Sequence, residues 1–245
     1  MPSSRRRFLG LSALGVSGAA GLASLATQEY PDRQSPYDWP MARYDPPGTG
    51  YNPTASGPTD DVAVAWTHKT PDWFRGSTQP IRRGETLYVG GNGLLALDTE
   101  TGQRRFSVQG PYHSSPTIAS ASIYQTKTLG ITGPAGMYGL NARGGQTLPL
   151  TDQTVGGQRW TGPRSPAPGF FGPAESTNPV TANGRIYTAI PGTNSVVAVE
   201  PNNGEVLWRR THHKNEAISG AYSRPAVSDD LVVVTEARDA VDAAG

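Results

Sequence analysis

Short apolar runs recur along the chain between polar breaks, and their length predicts strands rather than helices. Leu87-Tyr88-Val89, Ile186-Tyr187 and Leu231-Val232-Val233 are β-branched or aromatic, and turn-forming residues precede each one. Four segments align on a proline. They begin Pro80-Ile81, Pro116-Thr117-Ile118, Pro179-Val180 and Pro225-Ala226-Val227, and eight residues after each proline stands Tyr88, Tyr124, Tyr187 or Val233. The spacing predicts a hairpin in each case. Proline opens the first strand where no ladder donor is needed, and Arg83-Gly84, Asn183-Gly184 or Asp229-Asp230 supplies the turn. The second strand should be an inner, buried one.

A second pattern follows each hairpin. Leu94-Leu95-Ala96-Leu97-Asp98 leads to Gly102 and Phe106, and Val196-Val197-Ala198-Val199-Glu200 leads to Gly204 and Trp208. Both run four residues from acid to glycine and eight from acid to aromatic. The spacing predicts a third strand, a turn whose N–H groups the acid accepts and whose glycine takes positive φ, and an outer strand carrying the aromatic. Met137-Tyr138-Gly139-Leu140-Asn141, Gly144-Gly145 and Trp160 form a looser copy with an insertion before the tryptophan. Four strands per unit, repeated, is an all-β propeller blade.

The spaced word Leu-x-Ala-Leu-Asp-x-x-Thr-Gly with its following aromatic resembles the repeat of PQQ-like (pyrroloquinoline-quinone-type, tryptophan-docking) β-propellers. That group includes quinoprotein alcohol dehydrogenases and cofactor-free relatives that assist envelope protein assembly. The resemblance covers residues 58–245 and implies blade docking by Trp66, Phe106, Trp160 and Trp208. Trp39-Pro40, Asp45, Thr49-Gly50 and Asn52-Pro53 resemble the lead-in of secreted archaeal members. The fold class expected is therefore a β-propeller of four-stranded antiparallel blades, quinoprotein-like and incomplete at the C-terminus. Val62 to Trp66 reads as a lone outer strand, three full units follow, and a fourth unit stops in the turn after Asp242. Because rings of this group have seven or eight blades, about four blades imply a fragment or one half of a split ring, with the missing half as a possible partner.

The N-terminus adds a compartment. Arg5-Arg6-Arg7-Phe8-Leu9 resembles the twin-arginine export signal, followed by a weakly apolar stretch rich in Gly, Ser and Ala up to Ala26. The expected organisation is a signal peptide at 1–26, a lead-in at 27–57 and the partial propeller at 58–245. Export to the periplasm, cell surface or exterior follows, with membrane attachment only through an uncleaved signal.

Charge and composition then narrow the chemistry. Of 21 basic residues, three lie in the signal, which leaves 18 against 20 acidic ones and no basic face for nucleic acid. The 30 Gly and 22 Pro alternate with apolar runs, so they mark turns rather than disorder. With no cysteine, there is no disulfide, thiolate metal site or cysteine nucleophile. Quinoproteins hold the quinone and Ca²⁺ on the axis, with an Asp as base. Here no acid stands in such a motif, and Asp229-Asp230 fills the repeat slot of a hairpin turn. His212-His213 reads as a loop pair, and Phe170-Phe171 as an exposed lid or a blade cap. No catalytic residue and no metal site are assigned.

By repeat phase, Ser77, Gln79, Ser115, Asn178, Tyr222 and Arg224 should ring one mouth of the central channel, where propellers place ligand contacts. The function expected is a non-catalytic binding or scaffold module with no cofactor. The alternative is part of a PQQ-dependent dehydrogenase, with PQQ and Ca²⁺, whose catalytic blades lie elsewhere.

Overall fold

The computed structural model describes residues 35–70, 78–121, 126–147, 154–165, 176–193, 195–211 and 223–235. The first sheet holds β1 (Ile81–Arg83), β2 (Thr86–Gly91), β3 (Gly93–Asp98) and β4 (Arg104–Val108) in that order, all antiparallel. The second runs β5 (Thr117–Ala119), β6 (Thr128–Gly133), β7 (Gly136–Asn141) and β10 (Gln158–Arg164). The insertion before Trp160 folds as its own small hairpin, β8 (Gln146–Thr147) with β9 (Thr154–Val155). The third sheet runs β11 (Val180–Ala182), β12 (Arg185–Ala189), β13 (Ser195–Val199) and β14 (Val206–Thr211). A last pair, β15 (Ala226–Ser228) and β16 (Leu231–Val233), begins a fourth sheet beside β11. These are propeller blades, each starting at the axis and meandering outward.

Local chemistry sets the turns. Asn183 and Gly184 both have positive φ (49° and 70°), the geometry of a two-residue turn that follows the twist of its strands. Asp229 (φ 46°) opens the equivalent turn of the last hairpin, as expected of Asp229-Asp230. Three hairpins keep the predicted register, with Ile81 opposite Tyr88, Val180 opposite Tyr187 and Ala226 opposite Val233. The second blade departs from it. Thr117 pairs with Gly130, so the partner stands 14 residues after Pro116, and Tyr124 lies outside the described residues. The eight-residue count to Tyr124 therefore does not mark the strand pairing in this blade.

The core lies between blades rather than within them. Ile81, Tyr88, Leu94 and Phe106 of the first blade close on Ile118, Leu129 and Leu140 of the second. Met137 and Trp160 of the second close on Ile186, Val197 and Val199 of the third. Val180, Tyr187 and Ala198 of the third close on Val227 of the fourth. Each fully buried aliphatic side chain contributes about 1.5–3 kcal/mol, so a blade is stabilised mainly by its neighbours.

The acid-to-glycine turn has the predicted geometry in the first and third blades, and the second holds a shorter version on Asn141, with its glycine three residues on. Asp98 accepts from the Glu100 and Thr101 N–H groups (3.0 and 2.9 Å), while the Gly102 N–H donates to the Asp98 carbonyl (2.9 Å). Glu200 holds the same turn, closed by the Gly204 N–H, and Asn141 accepts from the Arg143 N–H in a turn that the Gly144 N–H closes one residue sooner. The Arg105 guanidinium (2.6 Å), together with the Thr101 N–H, holds the Asp98 carboxyl far below the usual carboxylate range. A depressed folded value stabilises fully above the unfolded carboxylate pKa of about 3.9 and is lost as pH falls through the folded value. The gap in melting temperature between wild type and Asp98→Asn is therefore expected to narrow steadily below about pH 4. A gap that stays constant down to acid unfolding contradicts the assignment.

Candidate functional site

Two features decide what the axial face can do: how the blades are locked, and what fills the axis. The lock is the outer-strand aromatic. Trp66 lies over Gly102, Phe106 over Gly144 and Trp160 over Gly204, each aromatic covering the turn glycine of the next blade. A Cβ on Gly204 would come 2.5 Å from Trp160, and one on Gly144 would come 2.7 Å from Phe106. Glycine is needed there for contact as well as for φ. The small residue in each third strand has the same origin, for Ala96, Gly139 and Ala198 sit opposite Phe106, Trp160 and Trp208. Trp208 packs beside Tyr187 at 6.0 Å and against the cluster holding Val227.

Two of the indoles also hold a backbone carbonyl. Trp66 Nε1 donates to the Thr99 carbonyl (3.1 Å) and Trp160 Nε1 to the Pro201 carbonyl (2.9 Å), both one residue past the turn acid. The equivalent carbonyl in the second blade is Ala142, and Phe106 has no N–H to offer it. Tyr88 Oη donates to it instead (2.6 Å), from the blade that carries Phe106. The substitution of Phe for Trp is thus compensated by a neighbouring hydroxyl, a pairing that no spacing in the sequence reveals. Tyr88→Phe is expected to cost about 1–3 kcal/mol by orphaning a buried carbonyl. Phe106→Trp in that background should recover most of the loss in urea unfolding. Additive losses from the two substitutions contradict the exchange.

The predicted mouth residues are brought together, but they bond to one another. The Gln79 N–H donates to Ser115 Oγ (2.5 Å), and the Ser115 N–H donates to Asn178 Oδ1 (2.8 Å). Each therefore ties its blade to the next. Arg224 turns the other way, donating to the carbonyls of Asp45 (2.6 Å) and Pro46 (3.4 Å). Burial lowers its pKa, partly offset by the charge of Asp45. Ser77, Tyr222, Arg5, Arg6, His212-His213 and Phe170-Phe171 lie outside the described residues.

Gln79 and Arg224 meet the lead-in, Gln79 Oε1 accepting from the Arg43 N–H (3.2 Å). Trp39 exchanges both backbone hydrogen bonds with Arg82 on the free edge of β1 (2.9 Å each). The Pro40 carbonyl accepts from Ile118 on β5, and the Pro46 carbonyl accepts from Val227 on β15, both at 3.0 Å. Arg82, Ile118 and Val227 are the second residues after Pro80, Pro116 and Pro225, so one segment satisfies the same inward-facing N–H in three blades. Met41 and Ala42 are buried, Met41 against Val180, Tyr187 and Val227.

Asp38 fastens the segment, accepting from the Gly84 N–H (2.6 Å) and pairing with Arg83 (3.1 Å). Beyond it the chain turns sharply, with Arg43 and Tyr44 at φ 60° and 72°. Asp45 closes that turn by accepting from the Gly48 and Thr49 N–H groups and Thr49 Oγ1. Burial pushes its pKa upward, but the bonds from Thr49 and Gly48 prevail and hold it low. Sequence reasoning marked Trp39, Pro40 and Asp45 as a lead-in motif without locating them. The segment carries no period, so the only signals were the prolines and the Asp45-to-Thr49 turn.

A quinone and calcium ion on the axis would need this space and free oxygen ligands. Asp45 is committed to its own loop, and among the described residues no three His, Asp or Glu side chains converge. No helix among the described residues is long and apolar enough to cross a membrane.

Four-stranded antiparallel blades, each locked by an aromatic on the next blade's glycine, are the architecture of a β-propeller. A family profile described as outer membrane protein assembly factor BamB matches residues 145–244. The fold matches BamB from Moraxella catarrhalis at a TM-score of 0.52 and 16% identity, over 71% of this chain and 50% of that one. It matches a quinohemoprotein alcohol dehydrogenase from Comamonas testosteroni at 0.52 and 15%, over 73% of this chain and 28% of that one. At such identities the likeness is one of fold. The chain spans about half the length of the BamB chain and a smaller part of the dehydrogenase. A search of curated proteins gives no sequence match.

Proposed function

We propose that the chain is an exported propeller acting as a non-catalytic binding or scaffold module for a protein partner. The observation that carries this reading is the lead-in, whose backbone takes the inward-facing N–H groups of three blades and whose Met41 and Ala42 pack beneath them. An axial cofactor would have to displace residues 39–48, together with the Asp38 anchor to Arg83 and Gly84. The mouth side chains Ser115 and Asn178 are spent on blade-to-blade bonds, which leaves outer surfaces and loops for recognition. The profile over residues 145–244 is named for a protein assembly factor, which directs the reading toward a protein rather than a small molecule. Export by the twin-arginine route rests on Arg5-Arg6 and the weakly apolar stretch behind them.

The test is a titration of pyrroloquinoline quinone into the protein with Ca²⁺ present, followed by tryptophan fluorescence. Quenching should remain linear and non-saturable. Saturation near one equivalent overturns the reading in favour of a quinoprotein.

A further inference from the structure

The chain holds three Asn-Gly pairs, Asn92-Gly93, Asn183-Gly184 and Asn203-Gly204. Such a pair is chemically labile, because a glycine nitrogen with no side chain beside it can attack the asparagine amide carbon. The fold treats the three differently. Gly93 stands in β3 opposite Gly91, and a Cβ on it would come 3.0 Å from the Val108 carbonyl. The Gly204 N–H donates to the Glu200 carbonyl (2.9 Å) beneath the Trp160 ring, and Asn203 Oδ1 accepts from the Glu205 N–H (2.9 Å). Both pairs are enclosed by contacts that hold a blade together. Asn183 and Gly184 are exposed instead, and a Cβ on Gly184 would meet nothing within 4 Å. The Gly184 N–H has no hydrogen-bond acceptor among the described residues.

The turn explains why asparagine stands at this position. Its φ of 49° is a conformation that Asn adopts more readily than most side chains. The side chain also has a second task. Asn183 Nδ2 donates to the Asp229 carbonyl (2.9 Å), which lies in the equivalent turn of the fourth blade. One labile amide thus ties two neighbouring hairpin turns.

We propose that Asn183 is a site of spontaneous deamidation, and that its conversion releases this tie between the third and fourth blades. The Gly184 nitrogen gives up its proton and bonds to Asn183 Cγ, the Cγ–Nδ2 bond breaks, and Nδ2 leaves as ammonia. Water then opens the resulting succinimide at either carbonyl, leaving aspartate or isoaspartate at position 183. Water enters and ammonia leaves, so no oxidant or reductant takes part. The bond to Asp229 holds the amide, so attack requires the turn to open. Opening is local at an exposed two-residue turn, whereas at Gly204 the Trp160 ring must first lift. Either product puts a carboxylate where an amide donor faced a carbonyl. Asp229 and Asp230 carry the same charge in the adjoining turn, and only Arg185 in these two turns is positive. Isoaspartate also lengthens the backbone of a turn whose fit depends on two residues. The proposal concerns the seam between blades and is independent of the binding-module reading.

The experiment ages the folded full chain in mildly alkaline buffer beside a urea-unfolded sample and maps the products by peptide mass spectrometry. In the unfolded chain all three pairs should convert at similar rates. In the folded chain, conversion at Asn183 should run about tenfold or more above that at Asn92 or Asn203, because only its turn opens locally. Gly184→Ala should suppress it about tenfold, since the added methyl obstructs ring closure. Folded protein in which Asn92 or Asn203 converts as fast as Asn183, or in which Gly184→Ala changes nothing, overturns the site. The consequence is read on Asn183→Asp, which installs one of the two products. The Ser228 and Leu231 amides, paired across the last hairpin, should exchange about threefold or more faster than in wild type. Unchanged exchange there overturns the role of the amide as a tie.

Discussion

Trp160→Ala is expected to lower stability by about 3–5 kcal/mol, the range for deleting a buried tryptophan from a packed core. The indole lies over Gly139 on its own blade and Gly204 on the next, and its Nε1 holds the Pro201 carbonyl. Its removal leaves a cavity between two blades whose cohesion otherwise depends on Met137, Ile186 and Val197. Trp160→Phe separates the contributions. It keeps much of the ring but orphans the Pro201 carbonyl, for about 1–3 kcal/mol. The second blade tolerates Phe106 because Tyr88 donates in its place, but Gly130 stands at the register of Tyr88 in the blade that carries Trp160. No hydroxyl is there to compensate. Urea unfolding should give the order wild type, Trp160→Phe, Trp160→Ala. Equal midpoints for wild type and Trp160→Phe contradict the role of the N–H.

Asp38→Ala is expected to cost about 3 kcal/mol, the lower range for removing one partner of a largely buried ion pair. The carboxylate faces Arg83 and the Gly84 N–H from a buried position, and the Ser35 N–H also donates to it (3.1 Å). Asp38→Asn should cost less, since an amide oxygen can still accept from Gly84. The loss should extend beyond the first blade. Freed from Asp38, the lead-in would cover Ile118 and Val227 less often, so blades two and four would soften although neither touches the carboxylate. A melt in which only the overall midpoint falls, with no added sensitivity at those two amides, contradicts the lead-in's bridging role.

The blade lock was legible in the sequence because it is written with scarce residues. An acid, a glycine four on and an aromatic eight on each have a separate physical reason, and the structure gives that reason at Asp98, Gly102 and Phe106. The hairpins were legible where the turn is two residues long, as at Asn183-Gly184 and Asp229-Asp230. The second blade was misjudged because Ile123-Tyr124 is as apolar as the pairs that do form strands, and composition alone cannot tell which apolar stretch meets Thr117. Of the residues assigned by phase to the mouth, Gln79, Ser115 and Asn178 are joined by hydrogen bonds. Phase could not show that they bond to each other. Nor could it show the lead-in, since a segment that bonds through main-chain carbonyls leaves almost no mark on side-chain identity.

Occupation of the axis by the chain itself is the point on which the functional reading depends, and amide hydrogen exchange tests it directly. The Arg82, Ile118 and Val227 amides should exchange slowly together, although all three sit on the free inner edges of their blades. If residues 39–48 do not cover the axis, these three should exchange far faster than the Leu97 amide inside its sheet, and the axis is open to a ligand.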